Sequence, residues 1–296
     1  MDESGALDEN AFRHVYEYNV QAGVHGFWIA GGTGESVMIA DEENMRMAEI
    51  AAEQNKGRVT NIMHVGAITT ARACALAEHA AKCGVESICA VPPFFYKPSV
   101  EALVEHYRAI GEASGGIPLF VYNLPGSTGT VLTPGLMRRI QEGVPSLKGL
   151  KHSSSDSQVG LVSSYVGMGL TCFIGNGRLM LPAMIMGAQG CIDGPPCMAP
   201  DPWVKLYDAI MGGDIELAKT LQEECAEVSN LVVTPHGCKG TLDDFLGCLP
   251  CASEALPLNG ETFFCRRAAC GPESSPLGAP WHRVWRTPSA DAALEA

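Results

Sequence analysis

No stretch of the 296-residue chain approaches the ~20 consecutive apolar residues that a bilayer-spanning helix needs. Positive charge is also scarce. Twenty lysines and arginines stand against 33 aspartates and glutamates, leaving a formal charge of −13. That balance opposes non-specific attachment to nucleic acid or anionic lipid, so neither a nucleic acid nor a membrane is an expected partner. The opening residues, MDESGALDEN, are acidic and hold no apolar core of a secretory leader. A cytoplasmic location is the expectation.

What is present is apolar residue, glycine and proline. Hydrophobic residues make up 46%, enough for one large domain or two small ones, with 33 glycines and 19 prolines pointing to a loop-rich α/β enzyme. Of twelve cysteines, Cys74, Cys83, Cys89, Cys172, Cys191 and Cys197 are scattered among apolar residues and read as buried or half-buried thiols. Cys248, Cys251, Cys265 and Cys270 form a loose Cys-x2-Cys and Cys-x4-Cys pair of a kind zinc uses. No knuckle glycine pattern accompanies them, and no metal or organic cofactor is expected.

Helical and extended patterns alternate. Helices are expected over 9–22, 41–56, 70–83, 99–112 and 133–142, with a weak one over 157–167 and others over 177–188, 201–212 and 214–232. Strands are expected at 24–30, 59–65, 86–91, 117–123, 147–151, 170–175 and 190–193. Ser99 can cap the fourth helix, and the acids opening the second suit its dipole. Seven strand–helix units fit right-handed βαβ connections. A doubly wound sheet and a closed barrel both allow this order. Regular spacing without a switch point, and polar groups at the C-terminal strand ends, favour the barrel. Residues 248–296 show little periodicity beyond a short helical stretch, SADAALEA.

Four candidates fall at C-terminal strand ends: the GGTGE turn (31–35), the PPFFYKP segment (92–98), Tyr122 and Lys151. In a barrel such ends meet at one mouth. Lys151 closes the apolar run of SLKGLKH. A lysine there is either a solvated strand end or a nucleophile, which must be neutral to form a Schiff base with a 2-oxo acid. An apolar mouth favours the neutral amine. Lys148, three residues earlier, falls on the opposite face of the strand. The Tyr122 hydroxyl is either a packed ring's polar tip or a proton relay. Consecutive amides in GGTG can cradle a carboxylate, with Thr33 adding a hydroxyl. A plain glycine turn is the alternative.

GGTGES, YNLPGSTG and GLK, in that order, resemble the N-acetylneuraminate lyase and dihydrodipicolinate synthase family over roughly residues 1–240. The resemblance implies a (β/α)8 TIM barrel that forms a Schiff base with pyruvate and assembles as a homo-oligomer, tetramer or dimer. By it, Lys151 is the imine lysine and Tyr122 the catalytic tyrosine. Gly32 and Thr33 hold the pyruvate carboxylate, and Gly129 belongs to the tyrosine loop. The implied activity is a class I aldolase or lyase cleaving or forming a 2-oxo-4-hydroxy acid, nearest to N-acetylneuraminate lyase. The partners are pyruvate and a small aldehyde or sugar-derived substrate. A dihydrodipicolinate synthase-like condensation and a non-catalytic 2-oxo-acid-binding paralogue are the alternatives.

The chain departs from the family pattern at several points. Gly32 stands where Ser or Thr is common. Phe95 stands where a tyrosine of the neighbouring subunit often reaches in, and Ser127 where the synthases place arginine. Gly177 and Arg178 replace the acids of the lyases' GxDE, and Gly194 a serine. Asp193, beside Gly194, either offers a carboxylate to a substrate hydroxyl or is a solvated strand end. The barrel is expected to lack the usual first strand, which normally precedes the first helix. It is expected to span 1–240, followed by an atypical extension over 241–296.

Overall fold

Parallel strands need long crossovers, and this chain places helix between successive strands. The computed structural model describes residues 5–154 and 156–233, and the statements below concern these. The order begins α1 (Glu9–Gln21), β1 (Gly26–Ile29), α2 (Asp41–Asn55), β2 (Thr60–His64), α3 (Thr70–Cys83), β3 (Ser87–Ala90) and α4 (Val100–Ala113). It continues with β4 (Leu119–Asn123), α5 (Pro125–Thr128), α6 (Pro134–Gly143), β5 (Leu147–His152), α7 (Val162–Val166) and β6 (Thr171–Ile174). The last elements are α8 (Met180–Ile185), β7 (Gly190–Cys191), α9 (Pro195–Met198), α10 (Pro200–Met211) and α11 (Ile215–Val233).

Local chemistry starts these helices. The side chains of Asp8, Thr69, Ser99 and Thr133 each accept a backbone N–H two or three residues into the following helix. Asp41, Glu42 and Glu43 crowd the first turn of α2, where the helix dipole favours carboxylates. Gly84 ends α3 in the left-handed conformation that glycine adopts without a Cβ penalty.

The seven strands are parallel and pair in sequence order. Side chains alternate between two faces. Met63, Ile88, Leu119, Val121, Leu150 and Ile174 face the helices and join the larger core. Trp28, Ile62, Cys89, Phe120 and Phe173 face the other way and make a second cluster. That inner face curls round on itself. The Trp28 ring of β1 lies 5.6 Å from the Tyr122 ring of β4. Three strand spacings in a flat sheet would separate them by ~14 Å. The outer layer also meets end to end. Asn19 Nδ2 of α1 donates to the Cys197 carbonyl of α9 at 3.0 Å, and the His25 and Tyr207 rings are 4.5 Å apart. This is the barrel architecture expected from the sequence, with seven strands among the described residues.

The structure departs from the sequence reading in detail. The short helices α5 and α9 were not expected, because four residues are too few to show a helical period; each opens on proline, at Pro125 and Pro195. The helix expected over 157–167 is a 3₁₀ turn (Asp156–Leu161) followed by α7. That over 177–188 is a 3₁₀ turn (Gly177–Leu179) followed by α8. Pro182 sits in the first turn of α8, where its missing N–H removes no helical bond. The six scattered cysteines are buried or half-buried, as read. The four late cysteines and the extension over 241–296 lie outside the described residues. No helix among the described residues is long and apolar enough to cross a membrane.

Gly149 marks the tightest point of the sheet beside the site. A Cβ there would lie 2.0 Å from the Thr171 carbonyl oxygen of β6. Gly149→Ala must therefore push two hydrogen-bonded strands apart, at a cost of about 3 kcal/mol or more. The expected outcome is a melting temperature lower by roughly 6–12 °C in a thermal unfolding scan. An unchanged midpoint would contradict the packing described here.

Candidate active site

Alternation along β5 decides what Lys151 can do. Gly149 and Lys151 share the inner face, and Lys148 lies on the outer one, exposed. Lys151 pairs in register with Tyr122 of β4 and Phe173 of β6. It is only 7% exposed. Its Nζ lies 4.4 Å from the centre of the Tyr122 ring and 5.6 Å from that of Trp28. No carboxylate pairs with it among the described residues. An ammonium here is held by two aromatic faces, and so would be any cation built on that nitrogen. Gly175, at the end of β6, makes room for the lysine stem. A Cβ at Gly175 would come within 3.1 Å of Lys151 Cε and 1.7 Å of Ser153 Oγ.

The GGTG turn closes the mouth from the β1 side. Ala30 and Glu35 flank it with φ of 53° and 49°, a region non-glycine residues seldom occupy. A Cβ at Gly31 would come 2.8 Å from the Trp28 indole, and one at Gly34 2.8 Å from Ala30 Cα. Two glycines thus let the turn fold tightly over Trp28. Gly32 faces the tyrosine, since a Cβ built on it would stand 3.4 Å from the Tyr122 hydroxyl. Thr33 is half-buried in the same turn. Lys151, Tyr122 and Gly32, expected together from sequence, converge.

Gly129 and Asp193 have local employment. Gly129 ends α5 with φ 68° and donates its N–H to the Pro125 carbonyl at 2.9 Å. It shapes the tyrosine loop. That loop is anchored by Asn123, whose Oδ1 accepts from Leu132 N at 2.9 Å and whose Nδ2 donates to His152 Nδ1 at 2.9 Å. Tyr165 adds a hydroxyl donated to the Leu132 carbonyl at 2.8 Å. Asp193 accepts from Gly177 N at 2.7 Å and Gly194 N at 2.9 Å, so it ties the ends of β6 and β7 together. Arg178 is exposed. Gly177 lies against Trp203: a Cβ there would be 2.5 Å from the indole Nε1. Phe95 is 84% exposed with φ 77°, edge-on to Tyr96.

Three further inner-face groups carry no motif in the sequence. Trp28 is one. His64 is another, buried, with its Nδ1 sharing a 2.9 Å hydrogen bond with Ser36 Oγ and its Nε2 without a partner. Ser153 Oγ is also buried and unpartnered. The available signal was alternation: in TNIMHV, His64 follows the inward Ile62 by two residues. Burial pushes the His64 pKa down to about 4, and the nearby Lys151 charge adds to this.

The dihydrodipicolinate synthetase family model matches residues 1–242. The chain belongs to this family. It is 32% identical over 227 residues to the 4-hydroxy-tetrahydrodipicolinate synthase of Oleidesulfovibrio alaskensis, covering 76% of this chain and 77% of that protein. It is also 32% identical over 233 residues to the N-acetylneuraminate lyase of Shigella boydii, covering 79% and 78%. The sialic acid aldolase of Ruminococcus gnavus superposes with a TM-score of 0.76 at 26% identity, covering 80% of this chain and 79% of that one. The dihydrodipicolinate synthase of Aquifex aeolicus, at 22% identity, shares the fold with a TM-score of 0.77 over 88% and 89% of the two chains. The family is thus one of aldolase-type lyases and synthases.

His64 gives the site a measurable acid sensitivity. His106, buried on α4 beside Thr70, is also pushed down to about 4 by burial. Both fold neutral, while an unfolded histidine takes up a proton near pH 6.5, so the unfolded state binds more protons below that point. Their stabilising contribution is complete above about pH 6.5 and is lost as the pH falls towards 4. At about pH 5 each costs about 2 kcal/mol relative to neutral pH. Urea unfolding at the two pH values should show His64→Gln removing its share of the loss; an unaltered pH slope would refute the assignment.

Proposed function

We propose that this chain is a pyruvate-dependent class I aldolase that cleaves or forms a 2-oxo-4-hydroxy acid through an imine on Lys151. The observation that carries this reading is the placement of Lys151: buried, without a carboxylate partner among the described residues, and facing the rings of Tyr122 and Trp28 at the C-terminal end of β5. In cleavage, the neutral Lys151 amine adds to the C2 carbonyl carbon, and loss of water leaves a protonated imine. Its positive charge develops where the two aromatic faces already favour a cation. The C4 hydroxyl proton leaves through the Tyr122 hydroxyl as the C3–C4 bond breaks. The bonding electrons move to the imine nitrogen, giving an enamine and a free aldehyde. Protonation of C3 and hydrolysis release pyruvate and regenerate Lys151. In synthesis the same steps run backwards.

The GGTG turn, with Gly32 facing the Tyr122 hydroxyl and Thr33 next to it in the chain, is the proposed seat of the 2-oxo acid carboxylate. Gly32 offers no hydroxyl, so the tyrosine's outer neighbour in the relay is the substrate or a water. The aldehyde fragment is less defined. The relatives named N-acetylneuraminate lyase make that reaction the nearest specific model. However, Trp203 occupies the space that an acidic side chain at position 177 would enter. This favours a 2-oxo-4-hydroxy acid whose hydroxyls are bound differently. Asp193 retains lone pairs beyond its two backbone bonds and is the proposed acceptor for one such hydroxyl. The absent relay hydroxyl at Gly32 supports a second reading, a paralogue that binds 2-oxo acids without turnover. We place the protein in the cytoplasm as a homo-oligomer.

Borohydride reduction in the presence of pyruvate, followed by intact mass measurement, tests the reading. A covalent adduct is expected in the parent chain and none in Lys151→Ala. Pyruvate affinity without an adduct in the folded parent would instead establish the non-catalytic reading. Where turnover of a 2-oxo-4-hydroxy acid is found, Tyr122→Phe should lower it by about 10²–10⁴-fold. A change smaller than threefold would remove Tyr122 from the relay.

A further inference from the structure

Away from the barrel mouth, α2 and α3 pack side by side and bring together three side chains of different chemistry. His79 and Cys83 lie four residues apart on α3 and therefore share one helix face. Glu49 approaches from α2. The ligand atoms of all three lie within 4.8 Å of one another. His79 Nε2 is buried and makes no hydrogen bond, although Glu49 Oε1 stands 3.3 Å away. That separation is open for an N–H···O bond. It is the spacing of two neighbouring ligands on a tetrahedral zinc ion, which at ~2.0–2.1 Å from the metal sit ~3.3 Å apart.

The surroundings favour the same conclusion. Arg46 donates to Glu49 Oε2 at 2.8 Å, which turns Oε1 towards His79 and fixes the carboxylate. The Arg46 charge is shared with Glu9 at 2.7 Å and Glu53 at 3.5 Å, so it does not dominate the local field. A thiolate, an imidazole and a carboxylate form a mixed donor set that suits zinc and not the all-oxygen preference of magnesium or calcium.

We propose that Glu49, His79 and Cys83 form a zinc site that staples α2 to α3, with water in the fourth position. On binding, the Cys83 thiol gives its proton to solvent, and Cys83 Sγ, His79 Nε2 and Glu49 Oε1 each form one bond to the ion. The site is independent of the Lys151 chemistry and sits in the outer helical layer.

The test uses the full chain, reduced and stripped with chelator, then titrated with Zn²⁺ against a chromophoric chelator. The parent is expected to bind one equivalent more than His79→Ala, Cys83→Ser or Glu49→Gln. With Co²⁺ in place of Zn²⁺, the thiolate-to-metal charge-transfer band should weaken in Cys83→Ser. Circular dichroism checks that each variant is folded; Glu49→Gln decides the matter if both α3 variants are not, since it leaves α3 intact. Equal stoichiometry in the parent and in every folded variant overturns the proposal, including the case in which the late cysteines take up metal in all of them.

Discussion

A lysine side chain held against aromatic rings inside a curled parallel sheet is the constraint on which the site depends. The sheet must curl for Trp28 of β1 to reach Tyr122 of β4 and Lys151 of β5. Strand alternation must point all three inward while Leu150 and Val121 turn outward to the helices. Once both conditions hold, the amine is shielded from solvent and has rings, not carboxylates, beside it among the described residues. A carboxylate beside it would lock the ammonium as an ion pair and oppose the loss of its proton. Aromatic faces favour a cation without fixing which one, so they suit the iminium proposed for Lys151.

The surrounding glycines serve that arrangement by omission. Gly31 and Gly34 let the GGTG turn fold onto Trp28 and Ala30, and Gly175 leaves a slot for the lysine stem. Gly149 lets β5 approach β6 closely one layer below. Trp28, His64 and Ser153, three of the residues with a buried polar atom that no hydrogen bond engages, lie close to Lys151.

Much of this was legible in the sequence. Alternating periods gave the strand–helix order, and all seven expected strands form. The motifs carried Lys151, Tyr122 and Gly32 to one place because barrel strands end at a common mouth. The illegible parts have physical reasons. His64 and Trp28 gave no motif, because an inward position on a strand is defined only by its neighbours' register. The four-residue helices α5 and α9 are too short for a period. Asp193 reads in the sequence only as a carboxylate at a strand end; that its oxygens also accept the amides of Gly177 and Gly194 depends on contacts that no local pattern encodes. The glycine at 32 was visible as a lost hydroxyl, but only the structure shows that its empty side faces the Tyr122 oxygen.

The contact between Gly177 and Trp203 has a consequence for how this lineage can change. The two positions lie on different elements, the turn after β6 and helix α10, yet they share one volume. An acid introduced at 177 alone meets the indole, and a smaller residue at 203 alone opens a void under a glycine. Neither single step is an improvement on the present packing, whereas the pair together could build a new hydroxyl-binding corner. A larger side chain at 177 is therefore a two-residue event, because it and the Trp203 indole cannot occupy the same volume.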